Sequence, residues 1–131
     1  MAHRDIDQAL AWANEQIQHP SRDYHDLCLS FCRSAYGLPP LASEAIDLWH
    51  KIPHQHKHHG PPEAAPRGAF VYFDYPGAGH VALKARHTLI TTDYCHIGKV
   101  CHAPLDLPAW HGSHYYLGFS MWTPDGFLDQ I

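Results

Sequence analysis

The run RGAFVYFDYPGAGHVALKA, Arg67 to Ala85, is where the chain changes character. Two stretches rich in β-branched and aromatic residues, AFVYF and HVALKA, flank a cluster of turn formers. Gly68 therefore opens one strand, PGAG reverses the chain, and His80 opens the next strand. Upstream the apolar spacing is helical. In Asp5–Gln18, Ile6, Leu10, Trp12, Ala13 and Ile17 form one stripe and Asp5 is placed as its cap. HPSRD, residues 19–23, breaks that helix. A second helix is expected from about Asp26 to Tyr36, ended by Gly37 and the LPP that follows. Ser43 and Glu44 open a short third helix through Ile46, Trp49 and Ile52, and PHQHKHHGPPEAAP, residues 53–66, reads as a loop. Downstream, strands are expected at Ala69–Phe73, His80–Ala85, Leu89–Thr92, Lys99–Ala103 and Tyr115–Met121. Helices first and an antiparallel meander second make an α+β arrangement.

At 131 residues, with 45% hydrophobic content, the chain suits a single domain over residues 1–131 with its own core. No apolar run approaches the roughly 18–20 residues of a membrane span, so no membrane insertion is expected. MAHRDIDQALAWANEQ is charged and amphipathic and lacks the apolar centre of a signal peptide. The expectation is synthesis in the cytoplasm. The net charge of −4 and the lack of a basic stripe argue against nucleic acid as a partner. Fourteen histidines are the odd feature: protonating all of them would carry the net charge from −4 to +10, so the surface should respond to mild acid.

YHDLCLSFCRSAYG, Tyr24 to Gly37, carries the first two of four cysteines. Cys28 falls in the first turn of the second helix, where unpaired N–H groups and the positive end of the helix dipole favour a thiolate. Cys32 lies one turn deeper on the same face. Asp26 opposes a thiolate by charge and is equally a candidate cap. On this helix alone, two buried cysteines acting as small hydrophobes explain the pattern as well as a nucleophile does. A thiol nucleophile needs an imidazole in reach and a polar group to orient the ring. His80, at a strand start beside small residues, offers the imidazole. TLITTDY offers the third group: Asp93 is the strongest acceptor by charge, with Thr91 and Thr92 as weaker ones.

The order of these pieces is DLCLSFCRSAYG on a helix, a tryptophan in the following helix, PRGAFVYF, GHVAL, ITTD with GKV, then YYLGFS. It resembles the CHAP and NlpC branch of the papain-like cysteine peptidases, in particular the cell-wall lysins of actinobacterial phages. The likeness spans about residues 6–126. It implies a papain-like fold, with N-terminal helices packed on a small antiparallel sheet, and hydrolysis of an amide bond in bacterial peptidoglycan by an endopeptidase or an N-acetylmuramoyl-L-alanine amidase. In such enzymes the first cysteine of the helix attacks, so Cys28 matches the nucleophile, His80 the base and Asp93 the third polar position. Position 32 is usually aliphatic there, which makes Cys32 a core substitute. Tyr24 stands where such lysins often carry an aromatic and is a candidate hydroxyl near the oxyanion. The likeness calls for no cofactor, and for a protein that acts on the cell wall after release from the cell.

Two features fall outside that pattern. HQHKHH, His54 to His59, has metal-binding side chains on a loop without fixed geometry, which suits only weak, adventitious binding. CHIGKVCH places Cys95, His96, Cys101 and His102 around a turn at Gly98. Four such ligands suit tetrahedral zinc, although adjacent residues of a strand point to opposite faces. A two-ligand contribution, a Cys95–Cys101 cross-strand disulfide or two unrelated cysteines beside a hairpin are the other arrangements open to them, and free thiols are the default for a chain without a secretory signal. Two rivals to the hydrolase follow: a zinc-binding interaction module, and a catalytically silent cell-wall binder on the same fold. Trp49, Trp110, Trp122, Tyr115 and Tyr116 are expected as core or groove wall.

Overall fold

A computed structural model describes residues 3–105 and 115–130; of Tyr115 only the backbone is described. Trp110 lies outside the described residues. Three α-helices come first: α1 (Ile6–Gln18), α2 (Cys28–Ala35) and α3 (Ala45–Lys51). Among the described residues seven strands follow: β1 (Phe70–Asp74), β2 (His80–Lys84), β3 (Leu89–Thr92), β4 (Val100–Ala103), β5 (Tyr115–Ser120), β6 (Trp122–Thr123) and β7 (Gly126–Phe127). The first five form an antiparallel sheet in the order β4-β3-β2-β1-β5, and β6 and β7 form a small hairpin of their own. The chain is thus α+β. Residues 53–66 are not a bare loop: they hold two 3₁₀ turns, His54–His56 and Pro62–Ala64, and His58 bridges to Phe119 beside the sheet.

Strand alternation divides the sheet into two faces. Phe70, Tyr72, Val81, Leu83, Ile90 and Val100 meet the helices, joining Ala9, Ala13, Phe31, Cys32, Ala35 and Leu48 in the main core. Val71, Phe73, Ala82, Leu89 and Phe119 lie on the other face with Ala65 and Ala69. The helix boundaries follow from capping. Asp5 accepts from the Gln8 N–H at 2.8 Å, and the Gln8 side chain accepts from the Asp5 N–H at 3.0 Å, a reciprocal capping box that fixes the start of α1. The second helix starts two residues later than its apolar pattern suggests. Leu27 is its N-cap and supplies no side-chain hydrogen bond, so Cys28 is the first helical residue and the N–H groups of the first turn have no side-chain cap.

His80 is set in place by the turn that precedes it. Gly79 adopts φ +72°, a left-handed conformation natural to glycine, and its N–H donates to the Tyr75 carbonyl at 3.0 Å. The first turn of α3 docks against it, the Ile46 N–H donating to the Ala78 carbonyl at 2.9 Å. A Cβ on Gly79 would lie 2.9 Å from the Ile46 Cβ and 3.0 Å from its backbone nitrogen. Gly79→Ala therefore combines positive-φ strain with a backbone collision. It is expected to cost about 2–4 kcal/mol in urea unfolding, seen as a lower midpoint at unchanged slope; a loss under about 0.5 kcal/mol would contradict this packing.

Candidate active site

Cys28, His80 and Asp93 line one cavity of about 340 Å³, together with Asp26, Glu44, Tyr75, Pro76, Ala78 and Gly79. A second cavity of about 270 Å³ adjoins it through Asp26, Cys28, Glu44 and Ala78 and extends to Ser30, Arg33 and Ser43. Cys28 therefore sits where two halves of a groove meet.

The sheet is built to admit it. Pairing between β2 and β3 is confined to Leu83↔Ile90 and Lys84↔Leu89. Toward the cleft, side chains carry the join instead of the backbone ladder. The buried His80 ring and Thr91 Oγ1 are 2.6 Å apart through Nε2. The Thr91 hydroxyl also lies 3.5 Å from the Thr92 carbonyl. In the tautomer whose Nε2–H donates to Thr91, Nδ1 is the basic nitrogen. The group found on the imidazole is this hydroxyl, the weaker of the acceptors considered from the sequence. Phe73 packs near the ring, with centroids 6.3 Å apart.

The Asp93 carboxylate is engaged elsewhere. Oδ2 accepts from the Asp26 N–H at 3.0 Å and Oδ1 from the Gly98 N–H at 2.6 Å. Asp26 and Asp93 are also the non-glycine residues with positive φ among those described, at 58° and 63°. Backbone in this region carries strain, and such strain gathers at functional sites. In the cleft Asp93 acts on the approach to α2 and, by charge, on the sulfur.

The Cys28 thiol is partly exposed to the groove but otherwise densely surrounded, and its pKa is raised from 9.0 to about 11. Burial is the main cause. The Val81 and Leu29 N–H groups aimed at the sulfur pull the value down, and the Asp93 charge adds to the rise. The resting sulfur is a neutral thiol, and only a neighbouring base makes it a nucleophile. Cys32 has no exposed surface; its Sγ faces the Val81 carbonyl at 3.8 Å, and burial drives its pKa well up.

Three expectations meet a different arrangement. Tyr24 lines neither cavity: its buried hydroxyl donates to Gln16 Oε1 at 3.1 Å and pairs with Ser21 Oγ at 2.9 Å, pinning α1 to the approach to α2. It is committed there and not to an oxyanion. Cys95 and Cys101 form a disulfide with Cα atoms 6.3 Å apart, which corrects the expectation of free thiols at these two positions. The same bond corrects the zinc reading, since it consumes both thiolates. His102 is also spoken for, with Nδ1 2.7 Å from Thr88 Oγ1 and Nε2 2.8 Å from Asn14 Oδ1. The histidine run is tied into the fold: His58 stacks on Phe119, His59 Nδ1 lies 3.0 Å from the Leu117 carbonyl, and the His56 ring meets Phe127 edge-on. Among the described residues no group of three or more metal-ligating side chains converges.

The raised thiol has a measurable consequence. Alkylation of Cys28 by iodoacetamide, followed by peptide mass spectrometry, should accelerate with pH through about 11 in the free protein. A rate already level below pH 7 would mean that the resting sulfur is a thiolate.

Among known proteins, no family model, no curated protein and no solved structure matches this chain.

Proposed function

We propose that the protein is a cysteine hydrolase of papain-like architecture that cleaves an amide bond in bacterial peptidoglycan, within the peptide or between muramic acid and L-alanine. One observation carries the reading: the thiol at the uncapped start of α2 and the imidazole at the start of β2 line the same cavity, and the ring's far nitrogen is held by Thr91. The choice of peptidoglycan rests on the likeness of the sequence motifs to wall lysins. On this reading the chain is made in the cytoplasm, as its charged N-terminal sequence suggests, and works at the wall after release. No described helix is long and apolar enough to cross a membrane.

In this mechanism His80 Nδ1 takes the Cys28 proton as the sulfur adds to the scissile carbonyl. The uncapped N–H groups at the start of α2 stabilise the oxyanion. The imidazolium keeps its Nε2–H on Thr91, then gives the Nδ1 proton to the leaving amine. Water hydrolyses the thioester by the reverse proton route. Asp93 positions residues 24–28 and does not touch the ring in this scheme, so the orienting role passes to Thr91.

Cys28→Ala should lower turbidity clearance of cell walls at least about a thousandfold, whereas Cys32→Ala should keep most activity and lose only about 1 kcal/mol of stability. The reverse pattern would overturn the assignment. Thr91→Val should lower kcat roughly ten- to a hundredfold with KM little changed, a part of the 10²–10⁴ that general acid–base catalysis contributes. Wall binding that survives Cys28→Ala with no bond cut by either protein would identify a silent wall binder. Mass spectrometry of the released muropeptides locates the bond by its new amino terminus.

A further inference from the structure

We infer that the Cys95–Cys101 disulfide is a redox latch for the Cys28 cleft, closing the loop that holds residues 24–28 in place. Its consequence for catalysis rests on the hydrolase reading; its mechanics rest on hydrogen bonds independent of that reading. The loop between β3 and β4 turns at Gly98, a buried residue at φ +81° packed against the Asp23 carboxylate. From this one peptide position two bonds leave the loop's tip. The Gly98 carbonyl accepts from the Tyr24 N–H at 3.0 Å, and its N–H donates to Asp93 Oδ1 at 2.6 Å. Asp93 Oδ2 then holds the Asp26 N–H at 3.0 Å, and the Asp93 N–H donates to the Lys99 carbonyl at 3.0 Å, closing the neck of the loop. Asp26 sits at φ +58° two residues before the nucleophile, in a segment that gives α2 no side-chain cap. A strained conformation of this kind persists only where its surroundings impose it, and here part of the imposition comes from Gly98 and Asp93.

The ring of residues 95–101 keeps the tip in register. Opening it returns backbone freedom to the loop, and that freedom competes directly with the bonds to Tyr24, Asp93 and Asp26. The bond is also accessible, because Cys95 is exposed and Cys101 partly so. A thiolate of a small-molecule thiol attacks one sulfur, forms a mixed disulfide and expels the other as a thiolate. A second thiol displaces the first. Two electrons and two protons pass to the protein, which leaves two cysteine thiols and one small-molecule disulfide. A small-molecule disulfide such as oxidised glutathione reverses the exchange. The cleft is thus assembled where the thiol pool is oxidising and loosened where it is reducing.

The test compares the aerobically purified protein with Cys95→Ser/Cys101→Ser by amide hydrogen exchange and by wall clearance. In the double variant the amides of Tyr24, Asp26 and Gly98 should exchange at least tenfold faster while those of β1 and β2 keep their protection, and clearance should fall at least fivefold. Reduction of the wild type with dithiothreitol should reproduce the exchange result, and oxidised glutathione should restore protection. Gly98→Ala, with the disulfide intact, should release the same three amides, since its Cβ would collide with Asp23 and its φ suits glycine. This variant and the reduced wild type decide the matter if the double variant does not fold. Unchanged exchange over residues 23–28 after reduction, or Cys95 and Cys101 both alkylating without prior reduction, would overturn the latch. Faster exchange in a protein that clears no walls in either state would keep the latch and sink the hydrolase.

Discussion

The Asp93 carboxylate joins two N–H groups that lie 67 and 5 residues away in sequence, those of Asp26 and Gly98. Charge-assisted hydrogen bonds of this kind are roughly twice as strong as neutral ones. What they stabilise here is costly to hold by local forces alone, since both aspartates adopt the left-handed conformation. The start of α2, the loop after β3 and the mouth of the groove depend on this one group. Removing the carboxylate would strip two backbone donors of their partner at once, and the approach to Cys28 would lose this tie to the sheet.

A second constraint is the parting of β2 from β3. A full ladder would use the Val81 peptide in sheet pairing. With pairing confined to Leu83↔Ile90 and Lys84↔Leu89, the Val81 N–H turns to the Cys28 sulfur and its carbonyl faces Cys32. The bond between His80 and Thr91 recovers cohesion that the missing rungs would have given, and it engages Nε2 of the ring at the same time. One short side-chain bond therefore serves packing and, in the proposed mechanism, proton transfer.

Much of this was legible in the sequence because it follows from local rules. The Asp5 capping box, the helical stripe of α1 and the turn before His80 are each encoded within a few residues, and the same holds for the strand runs. That Cys28 and His80 line one cavity agrees with the order of motifs. What was not legible depends on non-local partners. Asp93 looked like the natural acceptor for an imidazole, yet its carboxylate is taken by the N–H of Asp26, remote in sequence, and that of Gly98 in its own loop, and the Thr91 hydroxyl meets the ring instead. Tyr24 is drawn to Gln16 and Ser21 by a contact between α1 and the loop after it that no spacing rule reports. The Cys95–Cys101 bond depends on how β4 lies against the end of β3, where Thr91 pairs with Cys101. The β6–β7 hairpin is only two residues per strand, too short for periodicity to register.

The two cysteines of α2 show how position along one helix decides chemistry. They lie one turn apart, and burial raises both thiols. Around Cys32 the N–H groups are already spent within the helix, and the contact to the Val81 carbonyl offers nothing to a negative sulfur. A thiolate there would be buried with no compensating donor, so Cys32 packs as a hydrophobe. Around Cys28 the first-turn N–H groups have no side-chain cap, Val81 adds another donor, and the side chain opens onto the groove. Burial still holds its proton on at rest, and the nearby Asp93 charge reinforces that hold. On the hydrolase reading proposed above, the sulfur becomes a nucleophile only as the His80 ring takes its proton. A desolvated thiol at a helix start is therefore compatible with the proposed catalysis, provided the imidazole that shares its cavity is held in the Nε2–H tautomer, and on that reading Thr91 is the group that holds it.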